Sequence, residues 1–279
     1  MSSEGPEAAR WRRAIYGRGA PRRTDLIGLM TLAAASDDFD VLALIADVAR
    51  DALLPERHLA CVDADWLMEV CGDGHGLNAR SQFEALTSVL RHAVCPPAEL
   101  VAFAAREIER AILTGERGFI GGRDGEPGRV MAGDVEALQE IRRTARPDRA
   151  LAEVLFDIAH ATATADNDPG FDALFCETLR AYLGAEAPAG MRFDEFLATL
   201  AESPAPDTPC SDALDGMADA GYREAAEATS ARCEAAARLP APAARWAVTH
   251  LSRGALSSAE RQLVAALRDP AAAMTLRAA

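Results

Sequence analysis

Lysine is absent from the chain, and all 29 basic residues are arginine. A Schiff-base lysine, a phosphate-loop lysine and a lysine general base are therefore excluded. Long apolar runs are also missing. No stretch approaches the roughly 18 residues that a membrane helix needs, so membrane insertion is not expected. The N-terminus has no apolar core followed by a small-residue cleavage site, which predicts a cytoplasmic protein. The six cysteines are too dispersed along 279 residues for a compact disulfide framework, and in a reducing compartment they read as small buried hydrophobes. Catalytic signatures are lacking too: there is no G-x-S-x-G, no phosphate loop, no H-E-x-x-H and no dinucleotide fingerprint after a strand.

What is present is acidic and apolar. A formal charge of -14 argues against binding nucleic acid, because phosphate neutralisation needs a cationic footprint. The charge is unevenly placed. Residues 1–23 hold six arginines, Arg10, Arg12, Arg13, Arg18, Arg22 and Arg23, against Glu4 and Glu7, so a basic arm of about +4 precedes an acidic body of about -18. With 49% hydrophobic residues that body can bury a sizeable core.

Apolar residues recur at helical spacing: Phe83, Leu86, Leu90 and Val94; Leu151, Val154, Leu155 and Ile158; Phe171, Leu174, Phe175 and Tyr182; Phe193, Phe196, Leu197 and Leu200. Strand-like alternation is nearly absent. The predicted fold is all-α, a multi-helix bundle of stacked helical hairpins with about eleven or twelve helices and at most a minor hairpin near 117–131, around Arg123-Asp124-Gly125. Pro96-Pro97 is read as opening the helix that covers Leu100–Leu113, Asp134 and Asp148 as N-terminal caps, and Gly115 and Gly184 as helix stops. The predicted domains are the arm 1–23, a main helical domain 24–202, a Pro/Ala-rich linker or exposed helix 203–240, and a C-terminal helical hairpin 241–279 packing on the main domain.

One pattern repeats. Trp66 is followed at +7 and +8 by Asp73-Gly74, at +11 by Leu77 and at +17 by Phe83; Trp246 is followed at those offsets by Arg253-Gly254, Ser257 and Leu263. Phe83-Glu84-Ala85-Leu86 is matched by Phe171-Asp172-Ala173-Leu174, and Leu90-Arg91 by Leu179-Arg180 after a one-residue insertion. Such an echo describes a helical hairpin whose single apolar face needs neighbours. Chance similarity within an alanine-, leucine- and arginine-rich chain is the alternative. The run Leu155-Phe156-Asp157-Ile158, Ala165-Asp166-Asn167-Asp168-Pro169, Phe171, Leu174-Phe175 and Ala181-Tyr182-Leu183 resembles a group of uncharacterised bacterial helical proteins, a resemblance that implies a fold and no activity. Arg253-Gly254-Ala255-Leu256-Ser257-Ser258-Ala259-Glu260 is distantly similar to the tellurite-resistance TerB-like helical domains, although Arg253 stands where those domains carry an acidic residue.

Three sets of residues could carry function. His58, Cys61, Cys71, His75, His92 and Cys95 combine the imidazole and thiolate ligands zinc prefers, with Cys71, His75, His92 and Cys95 as the metal candidates; the alternative is that Cys71, equivalent to Leu251 in the echo, is a core residue. Asp166, Asp168, Asp172 and Glu177 have the spacing of a calcium loop, but Phe171 stands where its turn glycine belongs. Asp168-Pro169 equally fits a helix start. Arg10, Trp11, Arg12, Arg13, Ile15 and Tyr16 join charge to an apolar anchor suited to a partner's groove, or else fold back onto the acidic body. His160 lies near Asp157 and Asp166 in sequence and reads as a packed or surface histidine rather than an acid-base group. The expected function is a non-enzymatic helical interaction or regulatory protein with a protein partner and no required cofactor. The alternative is a metal-dependent enzyme or a metal-responsive TerB-like protein.

Overall fold

The computed structural model describes residues 5–72, 76–121, 125–144, 149–185, 246, 250–251 and 256–268. Among these residues it contains ten α-helices and no strand. They are α1 (Pro6–Tyr16), α2 (Arg23–Leu32), α3 (Phe39–Leu53), α4 (Cys61–Gly72), α5 (Arg80–His92), α6 (Ala98–Thr114), α7 (Ala132–Thr144), α8 (Arg149–Ala161), α9 (Pro169–Ala185) and α10 (Ser258–Arg268). None of them is long and apolar enough to cross a membrane.

The described residues form two compact units. One holds α1–α7, α8 as far as Ile158, and Ala165–Asp168; the other holds Ala159–Thr164, α9, α10, Trp246, His250 and Leu251. In the first unit α5 is central. Phe83 and every residue from Ala85 to Leu90 are buried, so this helix has almost no solvent face. Its buried hydroxyls are satisfied: Ser88 donates to the Ala46 carbonyl at 2.7 Å, and Thr87 to the Phe83 carbonyl at 2.8 Å. Helices α3 and α5 run parallel, since Arg80 at the start of α5 faces Asp37 before α3, Ser88 meets Ala46, and Val94 N–H donates to the Arg57 carbonyl. Around this pair pack α1 and α2 against α3, and α4, α6 and α7 against α5.

Local chemistry explains the boundaries. Asp38 caps α3, its carboxylate accepting from Asp40 and Val41 N–H. The helix α5 stops at His92, because the chain must extend before Pro96-Pro97, and α6 opens with Pro97 at its N-cap. Val94, the last residue of the predicted stripe, therefore lies beyond the helix and is 56% exposed. Gly115 ends α6 in the left-handed conformation at φ 84°, and a Cβ there would lie 2.5 Å from the Gly125 carbonyl oxygen, so only glycine fits. Gly184 does not end its helix; α9 continues to Ala185.

Asp134 is the third residue of α7 rather than its cap, and its carboxylate reaches back to Met131 N–H at 2.8 Å. Residues 117–121 and 125–131 are irregular, with a short 3-10 segment at Gly118–Ile120 and a turn at 127–128; Arg123 and Asp124, like Asp148, Phe193–Leu200 and 203–240, lie outside the described residues.

In the second unit, α9 and α10 pack together. Phe171, Leu174, Phe175, Leu179 and Tyr182 of α9 and Ala259 and Leu263 of α10 are buried. Asp172 accepts from Ser258 Oγ at 2.6 Å and Gln262 Nε2 at 2.9 Å, and Cys176 Sγ meets the Ala259 carbonyl at 3.7 Å. Tyr182 contacts Trp246 edge to face at 5.4 Å between ring centroids. The helix α10 starts with a capping box: Ser257 N–H donates to Glu260, and Glu260 N–H donates to Ser257 Oγ.

Candidate functional site

The turn from α2 into α3 leaves apolar side chains in water. Leu32 is 71% exposed and Phe39 is 79% exposed, with Ala34 and Ala35 exposed between them and Ile27 one turn back along α2. Leaving a leucine and a phenylalanine out of the core forgoes about 1.5–3 kcal/mol each. Single exposed apolar residues are ordinary, but here two large ones flank a single turn. Asp37 and Asp38 stand between them as acidic neighbours, and the Asp38 cap sets the backbone at the start of α3.

The basic arm lies along α3. Gly5 N–H donates to Asp40 at 2.7 Å, Arg12 to Asp47 at 3.0 Å and Tyr16 Oη to Asp51 at 2.8 Å, each across 35 residues, so α1 runs parallel to α3 in one register. Ala8 and Ile15 are buried, Trp11 is half-buried, and Arg10 and Arg13 are exposed. Burial, reinforced by the bond to Asp51, pushes the Tyr16 phenol up. Burial also works to raise the Asp51 carboxyl, but the bonds from Arg50 and Tyr16 outweigh it and hold that group below the ordinary range. Arg23 pairs with Asp63 and lies 5.3 Å from the Trp66 ring centroid, tying α2 to α4.

Among the described residues the histidine and cysteine candidates form no group of three or more. Cys71 is buried at the α4–α5 contact with Sγ 3.8 Å from the Gln82 carbonyl, and burial pushes its thiol up to about 12. Leu251 is likewise buried, matching the equivalence of the two positions in the sequence echo. His92 Nδ1 lies 2.8 Å from the Ser88 carbonyl, Cys61 and Cys95 are exposed, His58 is exposed, and His75 is outside the described residues. Beside them Glu56 and Arg57 are consecutive non-glycine residues in the left-handed region, at φ 55° and 66°. Val94 N–H bonded to the Arg57 carbonyl at 3.1 Å and Arg57 Nε bonded to the His92 carbonyl at 3.2 Å hold this turn.

The acidic candidates have differing surroundings. Asp166 is 97% exposed and 3.5 Å from Arg129, Asp168 N–H donates to the Val130 carbonyl at 2.9 Å immediately before Pro169 opens α9, and Asp172 binds α10. Glu177 is exposed on α9. Among the described residues no group of three or more His, Cys, Asp or Glu side chains is arranged to hold a metal ion. His160 is exposed in the last turn of α8.

The most developed polar cluster was not read from the sequence. Arg117, whose side chain is 2% exposed, donates through Nε to both oxygens of the fully buried Asp134 carboxylate at 3.0 Å, and through Nη2 to the Arg129 carbonyl at 2.5 Å. Val130 N–H in turn donates to Asn167 Oδ1 at 2.9 Å. These bonds tie the glycine-rich loop to α7 and to the turn before α9. A second clamp holds Leu77: its N–H donates to Glu107, its carbonyl accepts from Arg110, and Arg110 also donates to Glu107. Elsewhere, burial and the nearby Asp157 charge push the Glu109 carboxyl up against the opposing effect of Arg106.

No family model, curated protein or solved structure matches the chain. Both clusters hold loops in place, whereas Leu32 and Phe39 at the α2–α3 corner and the Arg12–Asp47 pair between α1 and α3 reach solvent.

Proposed function

We propose that the protein is a non-enzymatic helical interaction protein of the cytoplasm that docks another protein on the α2–α3 corner. The observation that carries this reading is the exposure of Leu32 at 71% and Phe39 at 79% on either side of the turn that Asp38 caps. An apolar side chain already in water retains its burial energy for a complex, and the ordered backbone of a capped helix start lowers the ordering cost of binding. The acidic neighbours Asp37 and Asp38 select a partner whose apolar pocket is bordered by basic residues.

The test places a photo-crosslinking phenylalanine analogue at position 39 in cells, with position 136, an exposed site on α7, as control. A discrete adduct at 39 that is lost with Leu32→Ser, and no adduct at 136, is the expected result. Leu32→Ser should change stability by no more than about 0.5 kcal/mol, since it exposes nothing further. Diffuse labelling at both sites, or a destabilised Leu32→Ser chain, refutes the reading.

A further inference from the structure

The seam between α1 and α3 has the make-up of a reversible contact. Helix α1 buries two residues, Ala8 and Ile15, fewer than any of α2–α7. Trp11 is half-buried, and the polar attachments are part exposed, with Arg12 at 37% and Asp47 at 31%. Contacts of this kind are screened by salt and exchange readily with competitors. The link to α2 contains Gly17, Gly19 at φ 115° with open space around it, and Pro21, and it is spanned by an Arg18–Asp25 bond at 2.7 Å. On α3 the receiving groups Asp40, Asp47 and Asp51 are spaced by seven and four residues, which puts them on one face of the helix.

We propose that this face of α3 is a docking track for an arginine-bearing amphipathic helix of a partner protein, occupied within the chain by α1 until that helix displaces it. The occupant defines the ligand. It carries a small residue at its start where a backbone N–H meets Asp40, an arginine seven residues on for Asp47, a tyrosine four further for Asp51, and apolar residues at the positions of Ala8 and Ile15. Short aspartate side chains require close approach of the two helices, which favours small residues at the contact. A phosphate-rich ligand is repelled by three carboxylates. This surface uses residues distinct from Leu32 and Phe39, so the two readings fail separately.

The probe is a fluorescent peptide of residues 5–19, titrated by anisotropy into full-length chains. The full-length Arg12→Ala/Ile15→Ser chain, whose own arm is weakened, is expected to bind the peptide at least ten-fold tighter than the wild type does. Adding Asp47→Lys should abolish that binding, and Leu32→Ser should leave it unchanged. Equal binding by wild-type and arm-weakened chains, or binding indifferent to Asp47→Lys, overturns the proposal. Should the arm-weakened chain lose its helical signal, hydrogen exchange of the wild type decides: α1 amides at least ten-fold less protected than those of α5 support a detachable arm, and equal protection overturns it. A wild-type chain that sediments as a dimer through exchanged arms also overturns it, because the track would then serve a second copy.

Discussion

Removing the Asp134 carboxylate should destabilise the first unit more than any surface change. In Asp134→Ala the Arg117 guanidinium, 2% exposed, would keep its charge in the interior without the two 3.0 Å contacts that now compensate it, and Met131 N–H would lose its 2.8 Å acceptor. Breaking one side of a buried pair costs about 3–5 kcal/mol. For a unit of this size that lowers the midpoint of thermal unfolding by roughly 10 °C. Replacing both partners by apolar residues, Arg117→Met with Asp134→Leu, leaves no uncompensated charge and should come within about 1–2 kcal/mol of the wild type. Because two compact units need not unfold together, the assay is denaturant-dependent hydrogen exchange read on peptides from α5 to α7.

The pair's pH dependence follows from its burial. Burial pushes the Asp134 carboxyl up, against the Met131 amide and Arg117. A raised native value means that the group's contribution is full below the unfolded value of about 3.9 and is lost as pH rises through the native value. A cost below about 1 kcal/mol for Asp134→Ala, or a double variant as unstable as the sum of its singles, would refute this account of the pair.

Three further outcomes are expected. Gly115→Ala should cost about 2 kcal/mol in chemical denaturation, from a left-handed alanine pressed on the Gly125 carbonyl, while Gly118→Ala, with open space, should stay within about 0.5 kcal/mol. Alkylation at pH 8 followed by peptide mapping should modify exposed Cys61 and Cys95 in the native protein and reach Cys71 and Cys176, both pushed up to about 12, on unfolding. Asp51, held below the ordinary range, stabilises the arm above its unfolded value of about 3.9 and loses that effect as pH falls through its lower native value, so α1 protection factors should drop in this acid range and Asp51→Asn should flatten the drop.

Periodicity made the helices legible because an apolar stripe is a local property. Leu151, Val154, Leu155 and Ile158, and Phe171, Leu174, Phe175 and Tyr182, are all buried as their spacing predicts. Where a stripe ends is less local: Val94 continued the pattern of α5, but the paired prolines stop the helix two residues earlier. Exposure of Phe39 was hidden for the opposite reason, since it shares a face in sequence with Leu42 and Ala49, and tertiary packing leaves it in water. The Arg117–Asp134 pair has no spacing signature; an arginine in a glycine-rich loop and an aspartate near a helix start each have common surface roles. The Ser257-x-x-Glu260 capping box was readable by its spacing and marks the start of α10. The sequence echo around the two tryptophans is less regular in space, because the second helix begins fourteen residues after Trp66 and twelve after Trp246.

The arm carries the clearest case of composition setting a contact's character. Six arginines near the N-terminus of a chain with net charge -14 favour association with its acidic surface at long range. Long-range attraction chooses a surface but not a register. The register comes from Asp40, Asp47 and Asp51 meeting Gly5, Arg12 and Tyr16, each pair separated by 35 residues, with Ile15 as the one large buried anchor. A segment with more apolar residues would have joined the core around α5 permanently. With so few, α1 is specified by polar geometry and held by two buried side chains, the two conditions on which its proposed displacement by a helix of the same chemistry rests.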